Sequence, residues 1–470
     1  MFPVLALAIF CGLLAQNTQG YASPQAIVNL GPEMLQRLIS HRLDSQALVG
    51  RLQNLPLQSI LQGGSGGLLG LGNLPVLGGL VDGLLGNILG VKIRNIELLR
   101  LDIRLDEVAK HIIVTVPADV EIEINLPLSL GRLLHVKLYL DIQVAVRILT
   151  DPVSGHVKLV VGNCHNNPGH LRITLLNNKG PLLQTVNNLL RAVTDILEKT
   201  VPHLLQKELC PLVNMLLEDV LNLLQGSSSS YVHGDMIQLR PSSTSLRNGV
   251  MQIGYEGTVR LPGGQNYIVP SGTAPLPHAP LGDAPMNMLL SDHLLSAMLR
   301  AFLTPRAINI HSPQEITAFS RQMAALSGFK GAIRALQVSY GAPVLAMTVG
   351  RIEVKQNIDV KVYSGRHLFT VRATVTSLGA VSVAGGSLRL TLHLEGIDNL
   401  SLINSSVGNF DVQHLTGAIS HLVSGFLLPH QNHLLAEGFP LPLVQQLGID
   451  HLNAAPGQNA LLLFAPPLAS

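Results

Sequence analysis

The chain has 470 residues, enough for two or more domains. Hydrophobic residues make up 47% and charged residues 13%, against a usual charged share of about 25%, and Trp is absent. The core is therefore aliphatic, and apolar surface is left over to face a membrane, a partner or a ligand. Charge is spread evenly. From Tyr21 to Arg240 there are 18 Lys+Arg against 18 Asp+Glu, and from Pro241 onward 13 against 11. That balance excludes a basic field for nucleic acid or anionic lipid head groups. No Lys or Arg follows Arg389.

In chain order, the apolar run Phe2 to Ala15 with Thr18 and Gly20 reads as a secretory signal, residues 1–20, cleaved before Tyr21. Its n-region has no Lys or Arg, and the run is short for a membrane anchor. Cys11 falls inside it, which leaves Cys164 and Cys210 in the mature chain. A secreted chain with two cysteines is most simply read as having one disulfide. Closing a loop of about 47 residues is worth roughly 4 kcal/mol in the loop-entropy model.

Gln25 to Leu52 carries a helical spacing of Leu35, Leu38, Ile39, Leu43 and Val49. A Gly/Leu-rich stretch, Gly63 to Gly90, follows with three GxxxG spacings (Gly66/Gly70, Gly79/Gly83, Gly86/Gly90). These could suit packed membrane helices, but Pro75 and Asp82 favour a flexible lead-in. From Val91 to Leu176 the period becomes two. The clearest strand is Val136 to Ile148, in which Val136, Leu138, Leu140, Ile142, Val144, Val146 and Ile148 alternate with mostly polar neighbours. Leu99–Leu105, Val120–Ile124, Val157–Val161 and Leu171–Leu175 alternate likewise, and Asp151, Pro152 and Gly155 mark a hairpin. One apolar and one polar face means an antiparallel sheet wrapped over something.

Thr185 to Gln225 has a long helical stripe, which Pro202 and Pro211 should kink or break. Cys164 lies just past one strand and Cys210 on this stretch, so a bridge between them would pin helix to sheet. Gly226 to Ser230 reads as a Ser-rich hinge. The second half predicts strands at Val250–Leu261, Arg351–Val362, Leu368–Val375, Leu388–Leu394 and Ala460–Phe464. It predicts helices at Ser291–Leu303, Ser312–Leu326 and Asp411–Leu428, and a breaker at Gly438–Pro442.

Catalytic and metal signals are weak. Gly63-Gly64-Ser65-Gly66-Gly67 matches GxSxG formally, but a nucleophile elbow needs a strand before the Ser and a helix after it. His430 with His433, and Cys164 with His165 and His170, are close in sequence without a full ligand set. No P-loop, dinucleotide fingerprint, HExxH or EF-hand loop occurs. Asn399-Leu400-Ser401 and Asn404-Ser405-Ser406 are glycosylation sequons in polar turn-like sequence. What remains is the amphipathic helices. Most of their stripes fill core, but a helix on a strongly curved sheet also leaves an elongated apolar slot that admits acyl chains.

The order of signal, Gly/Leu-rich lead-in with Asn73-Leu74-Pro75-Val76-Leu77-Gly78, alternating strands, Cys164…Cys210-Pro211 around an amphipathic helix, a similar second half and Gly438-Phe439-Pro440-Leu441-Pro442 resembles a known family. It is that of bactericidal/permeability-increasing protein, lipopolysaccharide-binding protein and PLUNC, in its long two-domain branch. The resemblance implies an α+β boomerang. Two twisted antiparallel barrels, 21–235 and 236–470, would each be closed by long helices and joined by a central sheet around 226–260. It also implies that Cys164 and Cys210 tie the long helix to a strand, and that each barrel holds a phospholipid or another hydrophobic ligand. The expected function is a secreted, extracellular, non-enzymatic lipid-binding protein of mucosal defence, with no cofactor, no nucleic acid and no stable transmembrane span. Alternatives are a carrier of hydrophobic odorants, a lipopolysaccharide-binding antibacterial protein, and a membrane-resident protein held by Leu68–Ile93. Lipopolysaccharide capture in the family relies on a basic N-terminal tip, which the 18-to-18 balance does not supply. Which side chains contact lipid is not legible in the sequence.

Overall fold

A computed structural model describes residues 24–42, 90–125, 133–150, 157–166, 172–175, 206–207, 210–211, 213–226, 228–232, 235–260, 266–268, 276–304, 306–327, 332–441, 444–445, 447–449 and 451–467. The signal segment, the GxSxG sequence, the GxxxG spacings up to Gly86, the tip of the hairpin at 151–156 and residues 185–205 of the expected long helix lie outside these. The chain divides into two compact units. One is Leu30–Gln225 with Thr244–Met251; the other comprises the described residues of Met1–Asn29, Gly226–Ser243 and Gln252–Ser470.

The first unit is built on a six-stranded antiparallel sheet. Its axis is the pair His111–Asn125 and Leu133–Thr150, in unbroken register from His111↔Arg147 to Asn125↔Leu133. Gly90–Leu98 and Asp102–Asp106 share the far side of the first strand; Val157–Asn166 and Arg172–Leu175 share the far side of the second. Alternation gives the sheet its inner face, because Ile112, Val114, Val116, Ala118, Val120 and Ile122 are all buried. Pro117 sits within this strand without breaking it. Its carbonyl accepts from the Leu99 N–H at 2.9 Å, so its missing donor faces the gap between Leu98 and Asp102, where one partner strand ends and the next begins. Thr150 pairs with Val157, so the strands on either side of the expected hairpin are antiparallel partners.

The second unit contains most of a branched fifteen-stranded sheet. Arg351–Ser364, Arg366–Ala384 and Ser387–Ser405 run as a meander, each pair antiparallel. The latter two strands have 19 residues each and far outrun the sequence expectation. Gly385 and Gly386, at φ +57° and +68°, form the two-residue turn between Ala384 and Ser387; a mirror-image turn of this kind matches strand twist and favours Gly at both places. Ala460–Phe464 has the expected bounds and pairs with Met286–Ser291 and His451–Gly457.

Three expectations are corrected. Gln25 does not begin a helix: Ala26–Leu30 is a strand, and the helix is Pro32–Arg42. Gln25 accepts from Ser291 and donates to Tyr255 through its backbone, so sheet bonding on both sides overrides helical spacing, and Pro32 suits the first helical turn. The Ser-rich segment is no hinge, since Ser228–Val232 pairs with Asp235–Arg247. The helix expected at Asp411–Leu428 runs on to Leu435, in four pieces: a 3₁₀ turn Val412–Leu415 capped by Asp411, α-helix Thr416–Leu422, a π-turn Val423–Leu427 and α-helix Leu428–Leu435. Pro429 lacks a donor, and the wider π-turn before it absorbs the misfit. The helix Asp292–Phe302 falls where expected, with the Ser291 hydroxyl accepting from the Leu294 N–H at 3.1 Å.

Buried amides fix the register of the second unit's interior strands. Asn29 Nδ2 donates to Asn287 Oδ1 at 2.7 Å, Gln252 Nε2 donates to Asn29 Oδ1 at 3.0 Å, and Asn287 Nδ2 donates to the Pro280 carbonyl at 3.1 Å. Asn287→Ala should destabilise this unit by about 1–3 kcal/mol, because it removes the buried 2.7 Å acceptor of Asn29 Nδ2 and leaves that group only the 3.4 Å contact with the Ala279 carbonyl. Adding Asn29→Ala should cost less than the sum of the two single variants, measured by urea unfolding.

Candidate functional site

In the first unit, helix Pro32–Arg42 and helix 213–225 turn apolar stripes toward the sheet. Met34, Leu35, Leu38 and Ile39 are buried from the first; Val213, Leu217, Val220, Leu221 and Leu224 from the second. Between them the described residues enclose a cavity of about 20 Å³. Its walls are Leu35 and Ile39 from one helix, Leu217, Val220, Leu221 and Leu224 from the other, Ile112, Val114 and Val146 from the sheet, and Met251 from the hairpin 235–260. Every lining side chain is apolar. A water there would lack the two to four polar partners that retain buried water. The void is also far below the roughly 300–1,000 Å³ of ordinary ligand pockets. Among the described residues the space between helix and sheet is thus a small apolar void rather than an elongated slot.

Cys164 and Cys210 are bonded to each other, with Cα atoms 5.7 Å apart. Cys164 lies within strand Val157–Asn166 rather than past its end, opposite Val144. A register shift between Val144 and Val146 sets its position. Gly162 permits that bulge, since a Cβ there would meet the Ala145 carbonyl oxygen at 2.7 Å. Cys210 and Pro211 are helical; the continuity of this segment through 208, 209 and 212 lies outside the described residues. A second link runs beside the bridge: Gln206 Nε2 donates to the Cys164 carbonyl at 3.1 Å. The wall formed by helix 213–225 is thus anchored to the sheet at its N-terminal end.

The second unit has a different interior. Gln431, from helix Leu428–Leu435, donates to Gln356 Oε1 at 2.7 Å, and Gln356 Nε2 donates to the Gly341 carbonyl at 2.8 Å. Tyr340 faces the same interior, paired with Ile358; its hydroxyl is buried and makes no hydrogen bond among the described residues. Burial pushes the Tyr340 phenol above its ordinary pKa, with Arg306 opposing. Nothing in the sequence singled out this polar island, because Gln356 and Gln431 look like surface residues of an alternating strand and a helix.

The remaining candidates separate. His430 and His433 share helix Leu428–Leu435, and no group of three or more His, Cys, Asp or Glu placed to hold a metal occurs among the described residues. Cys164 is spent in the bridge and His170 lies outside the described residues. Asn399 and Asn404 are both exposed, on strand Ser387–Ser405. Among the described residues no helix is long and apolar enough to cross a membrane, and the end of the Leu68–Ile93 segment begins strand Gly90–Leu98.

The sequence profile described as LBP / BPI / CETP family, N-terminal domain, matches residues 41–222, and that of the family's C-terminal domain matches residues 334–465. The chain is 26% identical to human BPI fold-containing family B member 1, over 97% of this chain and 96% of the relative. It is 35% identical to pig BPI fold-containing family A member 1, over 46% of this chain and 90% of that relative. Among solved structures, the crystal structure of lipopolysaccharide binding protein has the same fold, with a TM-score of 0.51 at 15% identity, covering 95% of this chain and all of its own.

Two outcomes test the site. Leu217→Ala should cost about 2–5 kcal/mol of stability in the first unit, yet enlarge the cavity and raise uptake of a fluorescent apolar probe. Cys210→Ser should cost that unit about 2–5 kcal/mol and increase its amide exchange, while protection in the second unit stays unchanged.

Proposed function

Because the chain belongs to the LBP / BPI / CETP family, we propose that it is a secreted, non-enzymatic protein that buries acyl chains or another hydrophobic ligand between helix and sheet. The wholly aliphatic cavity in the first unit carries this reading. Such a lining offers a chain-like ligand dispersion contacts and relief from water, and offers no group that could act as nucleophile, acid or base. The paired cysteines and the apolar N-terminal run support an oxidising, extracellular setting. A role at mucosal surfaces agrees with the PLUNC resemblance of the sequence.

A lipopolysaccharide-binding role is the second reading, and the likeness to lipopolysaccharide binding protein favours it. Charge argues against a phosphate-driven form of it. The 18-to-18 balance from Tyr21 to Arg240 supplies no excess of cations, and in the first unit Lys137 is engaged by Asp119 at 2.7 Å. Binding driven by acyl burial remains compatible with that balance.

Native mass spectrometry of protein purified without detergent, followed by lipid extraction, should find a co-purified or exchangeable apolar ligand. A protein that neither carries one nor takes up added phospholipid would falsify the proposal. Affinity for phospholipid should change little between low and physiological salt, whereas capture of lipid A phosphates would weaken steeply.

A further inference from the structure

Strand Ser387–Ser405 is bonded along one side to Arg366–Ala384, from Phe369↔Ser405 to Ala384↔Ser387. Its other side is covered at one end only. Ser387 and Leu388 pair with Pro440 and Phe439. Farther on, Asn432 imitates a strand: its carboxamide accepts from the Leu392 N–H at 2.8 Å and donates to the Leu392 carbonyl at 2.9 Å. Among the described residues no strand pairs with the outer side from Leu394 to Ser405. That leaves roughly 35–40 Å of open backbone edge, a template for a strand of another chain.

The usual guards of such an edge are incomplete here. Lys and Arg are absent from this segment, and so is Pro. Ile403 is 50% exposed. Three register shifts against the neighbouring strand disturb the edge without closing it. Its charges are Glu395, which is ion-paired with Arg351, and Asp398, and the two sequons fall inside this segment. Asn399 sits within the middle irregularity at φ +52°, its amide 3.4 Å from Thr374 Oγ1, and Asn404 stands opposite Thr370. Both are exposed.

We propose that Asn399 and Asn404 carry N-linked glycans whose role is to keep this edge from pairing with a second copy of the chain. The inference rests on the secreted reading above, since that route brings the sequons to the transfer machinery. In the transfer, the Asn amide nitrogen bonds to the anomeric carbon of a diphosphate-linked oligosaccharide. The sugar–phosphate bond breaks, the diphosphate leaves, and the amide gives up one proton. Bulky, hydrated sugars on the edge then do what Lys does on other edges.

The test uses the full chain expressed in secreting mammalian cells. Peptide mass spectrometry after amidase deglycosylation should find Asp in place of both Asn399 and Asn404. Removing both sequons with Ser401→Ala and Asn404→Gln, which spares the left-handed Asn399, should shift sedimentation from monomer to dimer and larger species. Adding Ile403→Lys to that variant should restore the monomer. If the double variant fails to fold, native deglycosylation of the folded wild-type protein makes the same comparison. Protein in the medium with both Asn unmodified overturns the glycan sites and leaves secretion standing. Protein retained in the cytosol and unmodified overturns both. Glycosylated protein that stays monomeric after deglycosylation overturns the shielding role.

Discussion

The register between His111–Asn125 and Leu133–Thr150 is the constraint on which the first unit depends. Side chains alternate with period two, so a slip of one residue would move every inward Ile, Val and Leu to the outer face. In the observed register, Ile112 stands opposite Val146, Val114 opposite Val144, and Val116 opposite Ile142, so the inward sets of the two strands coincide. Only that coincidence gives helices Pro32–Arg42 and 213–225 a continuous apolar floor. The cavity lies where floor and helices fit imperfectly, and its lining carries Ile112, Val114 and Val146 from those two strands.

The disulfide acts on that arrangement through geometry. A helix held by side-chain packing alone can leave the sheet at either end. With Cys210 bonded to Cys164, and Gln206 bonded beside it, the N-terminal end of the helical segment is fixed while residues 213–225 lie farther along. The second unit solves register differently, with the Asn29–Asn287–Gln252 amides and a two-glycine turn. Buried amides of this kind penalise wrong pairings more than they strengthen the right one.

Much of this was legible in sequence, for physical reasons that differ by element. Val136–Ile148 announced itself because one face is buried and the other wet, and Asp292–Phe302 because Ser291 caps a regular stripe. Ala26–Leu30 is not legible as a strand because, bonded on both sides, it carries no polar alternation, and its identity depends on neighbours more than two hundred residues away, Val250–Arg260 and Met286–Ser291. Ser228–Val232 was misread because polar composition suggests a loop, while pairing to Asp235–Arg247 satisfies its backbone. The cysteine pair marked which helix meets which sheet. The lining residues were hidden, because Leu217 and Leu221 look the same in sequence whether they fill core or face a void.

An aliphatic lining also limits how selective the first unit can be. With no polar group on the wall, one ligand differs from another only by length, branching and volume, and a missing methylene is worth about 1–3 kcal/mol. A site that hydrogen-bonds its ligand discriminates far more sharply, because the wrong ligand leaves buried polar groups unpaired. On the proposed lipid-binding function, the first unit would therefore suit a class of apolar molecules rather than one compound. The interior of the second unit is not of that kind: it holds the hydrogen-bonded Gln356–Gln431 pair and a buried Tyr340 hydroxyl with no hydrogen-bond partner among the described residues.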